Sequence, residues 1–213
     1  MLPRTKDQNK LLMGKIRMRH RLTDYGFTVC TGQLVWNRHK DQLRDKPSER
    51  TIPLIWAESV LPDGTFRFKS IRANHKPFFE LRENQEHLIT KHPCVLVQRT
   101  TAKEQNRRLI SAILPESFLE EFTNGVVIEN HLNIVKSIDG NKISLEVINA
   151  LFNSRVVDQV FRCISGSVAV SAYELNALPL PDLEYLEMLN YLIKNCRHEE
   201  QIEKYIANLY GVS

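Results

Sequence analysis

At 213 residues, with 42% hydrophobic and 25% charged side chains, the chain is long enough to bury about 70% of its unfolded surface without staples. Its cysteines, Cys30, Cys94, Cys163 and Cys196, stand far apart with no CxxC or Cys/His spacing, which argues against a zinc site and a secreted disulfide framework. No apolar run approaches the roughly 18 residues of a membrane span, and the opening stretch MLPRTKDQNKLLMGKIRMRH lacks the apolar core of a signal peptide, so reduced thiols, no membrane association and a cytoplasmic location are expected. The net charge of +4 and pI near 8.9 permit a polyanionic partner. The distribution says more: residues 1–50 carry twelve Lys or Arg against five Asp or Glu, and residues 182–213 carry three against six.

Residues 6–23 read as a basic helix with Leu11, Leu12, Ile16 and Leu22 loosely on one side. So narrow an apolar face needs something else to lean on, and Met1 is expected to lie inside a longer polypeptide. FTVCTGQLVW (27–36) alternates as a strand, or as two bent at Gly32, and runs into Asn37, Arg38, His39 and Lys40. IPLIWA (52–57) and TFRFKS (65–70) flank Pro62-Asp63-Gly64 and predict an antiparallel hairpin. Residues 78–81 predict a short strand preceded by Arg72, Asn74, His75 and Lys76.

The stretch CVLVQRTTAKEQNRR (94–108) organises the reading. A buried strand, Cys94-Val95-Leu96-Val97, gives way at once to Gln98, Arg99, Thr100, Thr101, Lys103, Asn106, Arg107 and Arg108. Arg and Lys neutralise phosphates, and the forked donors and acceptors of Arg, Gln and Asn match guanine and adenine edges in the major groove. The other use of such a stretch is a solvated loop beside an edge strand.

Residues 109–114 are strand-like, and GVVIENHLNIVKS (125–137) is a strand pattern interrupted at Glu129-Asn130-His131. A helix is predicted from Ser144, with Leu145, Ile148, Leu151 and Phe152 at spacings of three and four. Ser154 caps a second carrying Val156, Val157, Val160, Phe161 and Ile164, which ends at Ser165-Gly166-Ser167. Residues 168–173 are strand-like, Leu178-Pro179-Leu180-Pro181 is an extended linker, and two helices, 182–195 and 198–210, close the chain. The predicted fold is α+β, a mixed and largely antiparallel β-sheet platform with packed helices and two C-terminal helices.

The familiar catalytic patterns are missing from these residues. No acid has Lys two positions later, as a common metal-dependent nuclease site would. There is no Gly-x-Gly turn, no Pro-Pro, no Walker loop and no G-x-S-x-G elbow.

The segments Thr31-Gly32-Gln33-Leu34-Val35-Trp36-Asn37-Arg38, Val97-Gln98-Arg99-Thr100-Thr101, Glu129-Asn130-His131 and Leu178-Pro179-Leu180-Pro181, in that order, resemble the C-terminal part of N6-adenine-specific DNA methyltransferases of restriction-modification systems, the Taq, BsuBI and Pst modification methylases. The resemblance covers nearly the whole chain. It implies an α+β target recognition domain that faces a catalytic domain of the same polypeptide across double-stranded DNA and helps hold the target adenine out of the stack. It also implies that S-adenosylmethionine binds the missing catalytic domain, that this chain carries no cofactor of its own, and that alone it transfers no methyl group. Residues 1–24 would then be a linker helix from that domain, 25–181 the recognition domain and 182–213 a helical hairpin packed on it.

The expected DNA-binding residues are Trp36, Asn37, Arg38, Lys40, Gln98, Arg99, Thr100, Thr101, Lys103, Asn106, Arg107, Asn130, His131, Ser165 and Ser167. Several have a second use. Trp36 is either core at a strand end or a stacking group, Glu129-Asn130-His131 either a contact or a polar bracket between strands, Ser165 and Ser167 either caps or phosphate contacts, and one of Arg107 and Arg108 faces away from any ligand. Two other function classes stay open: a divergent restriction endonuclease domain, and a protein-interaction subunit using Leu183, Leu186, Leu189, Ile193, Ile202 and Ile206 as a helical seam.

Overall fold

The structure, a computed structural model, describes residues 18–100, 107–138, 140–165, 169–195 and 198–212. Its strands in chain order are β1 (Phe27–Thr31), β2 (Leu43–Arg44), β3 (Thr51–Ile55), β4 (Phe78–Glu80), β5 (Ile89–Thr90), β6 (Cys94–Gln98), β7 (Ser111–Leu114), β8 (Val126–Ile128) and β9 (Leu132–Ser137). The helices are α1 (Glu116–Glu121), α2 (Leu145–Asn153), α3 (Arg155–Ile164), α4 (Ala172–Asn176), α5 (Leu183–Asn195) and α6 (Glu199–Leu209). The strands form two sheets. One is wholly antiparallel in the order β1-β9-β6-β7; the other, β2-β4-β3-β8-β5, is mixed, with β3 and β8 parallel. The class is α+β.

Strand β6 shows why the layers stack as they do. All five of its residues are buried, and successive side chains enter different cores. Val95 and Val97 join Phe27, Val29 and Val135 beneath the helices, where Ile148, Leu151, Phe152, Val157 and Phe161 of α2 and α3 meet them. Cys94 and Leu96 join Ala112, Leu114 and Ile134, facing Ile55, Val126 and Ile128 of the second sheet. A strand apolar on both faces fits only between two layers. A third core, Leu34, Ile52, Leu54, Trp56, Phe79 and Val127, fills the outer side of the second sheet. Each fully buried Leu or Phe in these layers contributes about 1.5–3 kcal/mol relative to exposure. The Cys94 thiol is pushed up to about 12 by burial, with Cys30 adding to it, which leaves it inert as a nucleophile.

The helix starts follow the sequence. Val147 donates to the Ser144 hydroxyl and Val157 to that of Ser154, satisfying amides that a first turn leaves open. The acyclic edge of β1 is closed by a side chain: Asn176 of α4 accepts from the Val29 amide and donates to its carbonyl, as a neighbouring peptide would. No described helix is long and apolar enough to cross a membrane.

Four expectations change. The strand over 168–173 gives way to α4, because Ser171 and Glu174 form a reciprocal capping box that starts a helix there. Among the described residues of that stretch only Ala169 pairs, in a single bridge to Thr100. The hairpin at Pro62-Asp63-Gly64 keeps its turn, with Gly64 at φ +84° and Asp63 accepting from Thr65, but shrinks to one bridge between Val60 and Phe66. Residues 51–55 pair with β4 and β8 instead. The basic helix over 6–23 does not reach its expected end: His20 bridges Leu180, and residues 22–25 form one 3-10 turn. Residues 6–17 lie outside the described residues. Finally, α1, β2 and β5 are additional elements.

The linker Leu178-Pro179-Leu180-Pro181 is extended as expected, and it is also buried. Leu178 and Leu180 are fully enclosed, and the Tyr25 and Tyr210 hydroxyls donate to the carbonyls of Pro181 and Pro179. Leu186, Leu189, Ile206 and Tyr210 share the core that holds Met18 and Leu22, with Leu183, Ile193 and Ile202 packed at its margin. The seam proposed for a partner is therefore spent on the chain's own body.

Candidate nucleic-acid interface

The site begins where β1 ends. A Cβ on Gly32 would stand 2.3 Å from the Glu129 carbonyl oxygen, so only glycine lets the chain cross there. Gly32 donates to Leu132 O, Leu34 bridges Glu129 in parallel, and the Asn130 amide donates to Leu34 O at 3.0 Å. Held in this way, the chain enters 3-10 turns at Trp36–Arg38 and Lys40–Gln42. Gln42 is buried and fixes the second turn, its Oε1 accepting from His39 Nδ1 at 2.9 Å and its Nε2 donating to Glu80 O at 2.8 Å. Asn37, Arg38 and Lys40 are left exposed.

Trp36 joins an aromatic cluster at the strand end. Its half-buried indole meets Trp56 edge-on at 5.9 Å and His75 at 6.0 Å, while the Lys40 ammonium stands 5.6 Å from the ring centre. His75 lies flat on Trp56 at 3.7 Å, and Glu58 stands 3.3 Å from its Nδ1 without hydrogen-bond alignment. Burial holds the His75 imidazole below the ordinary histidine value, against the opposing pull of Glu58.

The next strip is the turn between β8 and β9. Glu129 is 1% exposed, yet its carboxylate accepts the His131 amide at 2.9 Å and lies 2.6 Å from His131 Nδ1. A carboxylate only accepts, so Nδ1 carries the proton and Nε2 is left for solvent or a ligand. The His131 side chain is 51% exposed. Asn130 is half-buried.

Arg99 closes the strip from the other side. Its amide donates to His131 O, its carbonyl accepts from Val170, and its Nη1 donates to Asn130 O at 2.6 Å, while Nε is buried with no partner. Thr100 is exposed beside Ala169. The residues after β1, the 129–131 turn and the end of β6 thus stand side by side through backbone bonds, forming one rim rather than two separate fringes.

Two expected readers are otherwise engaged. Gln98 is 9% exposed and gives both amide hydrogens to carbonyls, Ala57 O at 3.1 Å and Val60 O at 2.8 Å, so it ties β6 to the second sheet and presents nothing outward. The Arg107 guanidinium donates to the carbonyls of Asn153 and Pro62 at another corner of the molecule. The backbone amide of Arg108, with that of Leu109, donates to the buried Asp158 carboxylate. Ser165 follows α3 as its C-cap, its amide donating to Phe161 O at 2.8 Å. Thr101, Lys103, Asn106 and Ser167 lie outside the described residues. Glu58, Trp56 and His75 were not among the candidates; the signal for His75 was the run 64–79, which holds four Lys or Arg, one His and no acid, whereas Trp56 and Glu58 lie outside it and carried none.

No protein-family model matches the chain. Over 188 residues, 85% of the chain and 36% of the relative, it is 29% identical to Type II methyltransferase M.BsuBI of Bacillus subtilis. It is 28% identical over 170 residues to Type II methyltransferase M.PstI of Providencia stuartii, covering 78% of the chain and 33% of that relative. The chain spans about a third of the length of these curated relatives. The chain is thus similar to two Type II methyltransferases over most of its own length.

Proposed function

We propose that this chain is the sequence-recognising part of an adenine-N6 DNA methyltransferase of a restriction-modification system, gripping double-stranded DNA for a catalytic domain of the same polypeptide that binds S-adenosylmethionine. The observation that carries the reading is the continuity of the rim: Leu34 on Glu129, Asn130 on Arg99, Thr100 on Ala169. Asn37, Arg38, Lys40, Thr100 and His131, on or next to these joined segments, are exposed. The two relatives are both methyltransferases, and the match covers 36% and 33% of them, which supports a part rather than the whole of such an enzyme.

In this reading the roles divide by chemistry. Lys40 and Arg38 meet phosphates and set register, while Asn37 and His131, with short side chains on turns fixed by Gln42 and Glu129, read base edges. Arg99 acts as a positioning residue that holds the Asn130 carbonyl and so aims the turn. Selection of duplexes from a randomised pool by the purified chain tests this. One sequence should be enriched. Asn37→Ala should then cost about 1–3 kcal/mol at one base position, and Lys40→Ala should weaken all duplexes alike and lower the salt slope by about one. A pool that stays random under selection contradicts the reading.

A further inference from the structure

Between Gly64 and Phe79 the chain carries Arg67, Lys69, Arg72 and Lys76 and no acid. Its two phenylalanines at the start turn inward: Phe66 and Phe68 lie 5.2 and 5.3 Å from the Phe118 ring. Ile71, three residues on, does the opposite and is 71% exposed. A single exposed isoleucine is ordinary on a mobile loop, but this backbone is tied down on both sides of it. Lys69 exchanges hydrogen bonds with the Ser59 hydroxyl, the Ile71 amide donates to Glu58, the Trp56 indole donates to Lys76 O at 2.7 Å, and His75 stacks on Trp56. Glu58 is itself only 16% exposed. The chain thus fixes an apolar tip at the surface in advance of any partner, so that little ordering entropy is lost on contact.

The tip also has a place. The segment 57–60 that anchors it accepts both bonds from Gln98, and His75 touches Trp36, so the arm rises from the same rim as Asn37 and Lys40. Of its cations, Lys76 is paired with Asp45 and Arg72 reaches Glu58 at 3.9 Å, yet the Arg72 side chain is 75% exposed, and Arg67 is exposed as well.

We propose that residues 67–76 form an arm that enters a groove of double-stranded DNA, with Ile71 wedged between adjacent base pairs and Arg67 and Arg72 on the flanking phosphates. Apolar wedges unstack a step and bend the duplex toward more protein surface, and cations on either side offset the phosphate charge brought close by the bend. The inference rests on the DNA-recognition reading above and adds a deformation to it.

The experiment uses the full chain and the duplex it enriches from a randomised pool, with 2-aminopurine placed at successive positions. The chain should raise the fluorescence at one step, where the probe base loses its neighbour. Ile71→Ala should abolish that rise and weaken binding about tenfold, Ile71→Leu should keep the rise, and both variants should unfold at the wild-type temperature because the side chain is exposed. Binding without a rise at any position, or a rise unchanged in Ile71→Ala, overturns the wedge and leaves the recognition reading standing. Failure to enrich any duplex overturns both.

Discussion

Glu129 is the residue on which the site's chemistry turns. A carboxylate 1% exposed survives only with partners, and here the amide and Nδ1 of His131 supply them. Glu129→Gln should cost about 1–3 kcal/mol of stability, read by urea unfolding, and should free the imidazole to rotate, blurring base preference more than it weakens total binding. Gln98→Met separates a structural role from a reading one: the orphaned carbonyls of Ala57 and Val60 should lower stability by about 1–3 kcal/mol with the enriched DNA sequence unchanged. His75 gives a pH dependence. Its folded value is depressed below 6.5, first by burial, with Glu58 and Glu129 opposing and Arg72 assisting. The unfolded chain therefore binds the proton first, so this contribution is complete above pH 6.5 and is lost as pH falls through 6.5 toward the lower folded value. Unfolding measured across that window should show the loss in the wild type and less of it in His75→Gln.

Among elements, the crossing at Gly32 matters most, because it brings the segment after β1 against the 129–131 turn. Gly32→Ala forces a methyl group into the Glu129 carbonyl, which backbone cannot yield cheaply. The cost should be about 1–3 kcal/mol, and DNA binding should fall further than stability alone explains, since residues 34–40 would shift off the rim. What the sequence made legible at this scale was local. Ser144 and Ser154 sit ahead of apolar spacings of three and four, so α2 and α3 were placed nearly to the residue. The stretch 168–173 was misread because Val168, Val170 and Tyr173 suit a strand, while the capping box that decides otherwise needs Glu174, just beyond it. Gln98 and Arg107 were read as outward-facing because their fate depends on what crosses from far along the chain, Ala57, Val60, Pro62 and Asn153, and no periodicity reports that. The rim itself was half legible: the segments after β1, at the end of β6 and at 129–131 stand out by their polar residues and do adjoin, but the aromatic stack of Trp36, Trp56 and His75 that stiffens them joins three separate segments.

On the scale of the whole molecule, the body is three cores stacked across two sheets with α2 to α6 on one side, and charge follows the layers only loosely. The helical end is acidic, residues 182–213 carrying six acids against three bases, whereas the rim and the arm are rich in Lys and Arg. A polyanion should therefore approach the rim and avoid α5 and α6. Hydrogen exchange of the chain with and without the duplex it enriches measures this directly. The account requires amides in residues 34–40, 99–100 and 129–131 to slow together on adding DNA while those of α5 and α6 stay unchanged. Slowing confined to one of those three segments, or centred on the terminal helices, would contradict it.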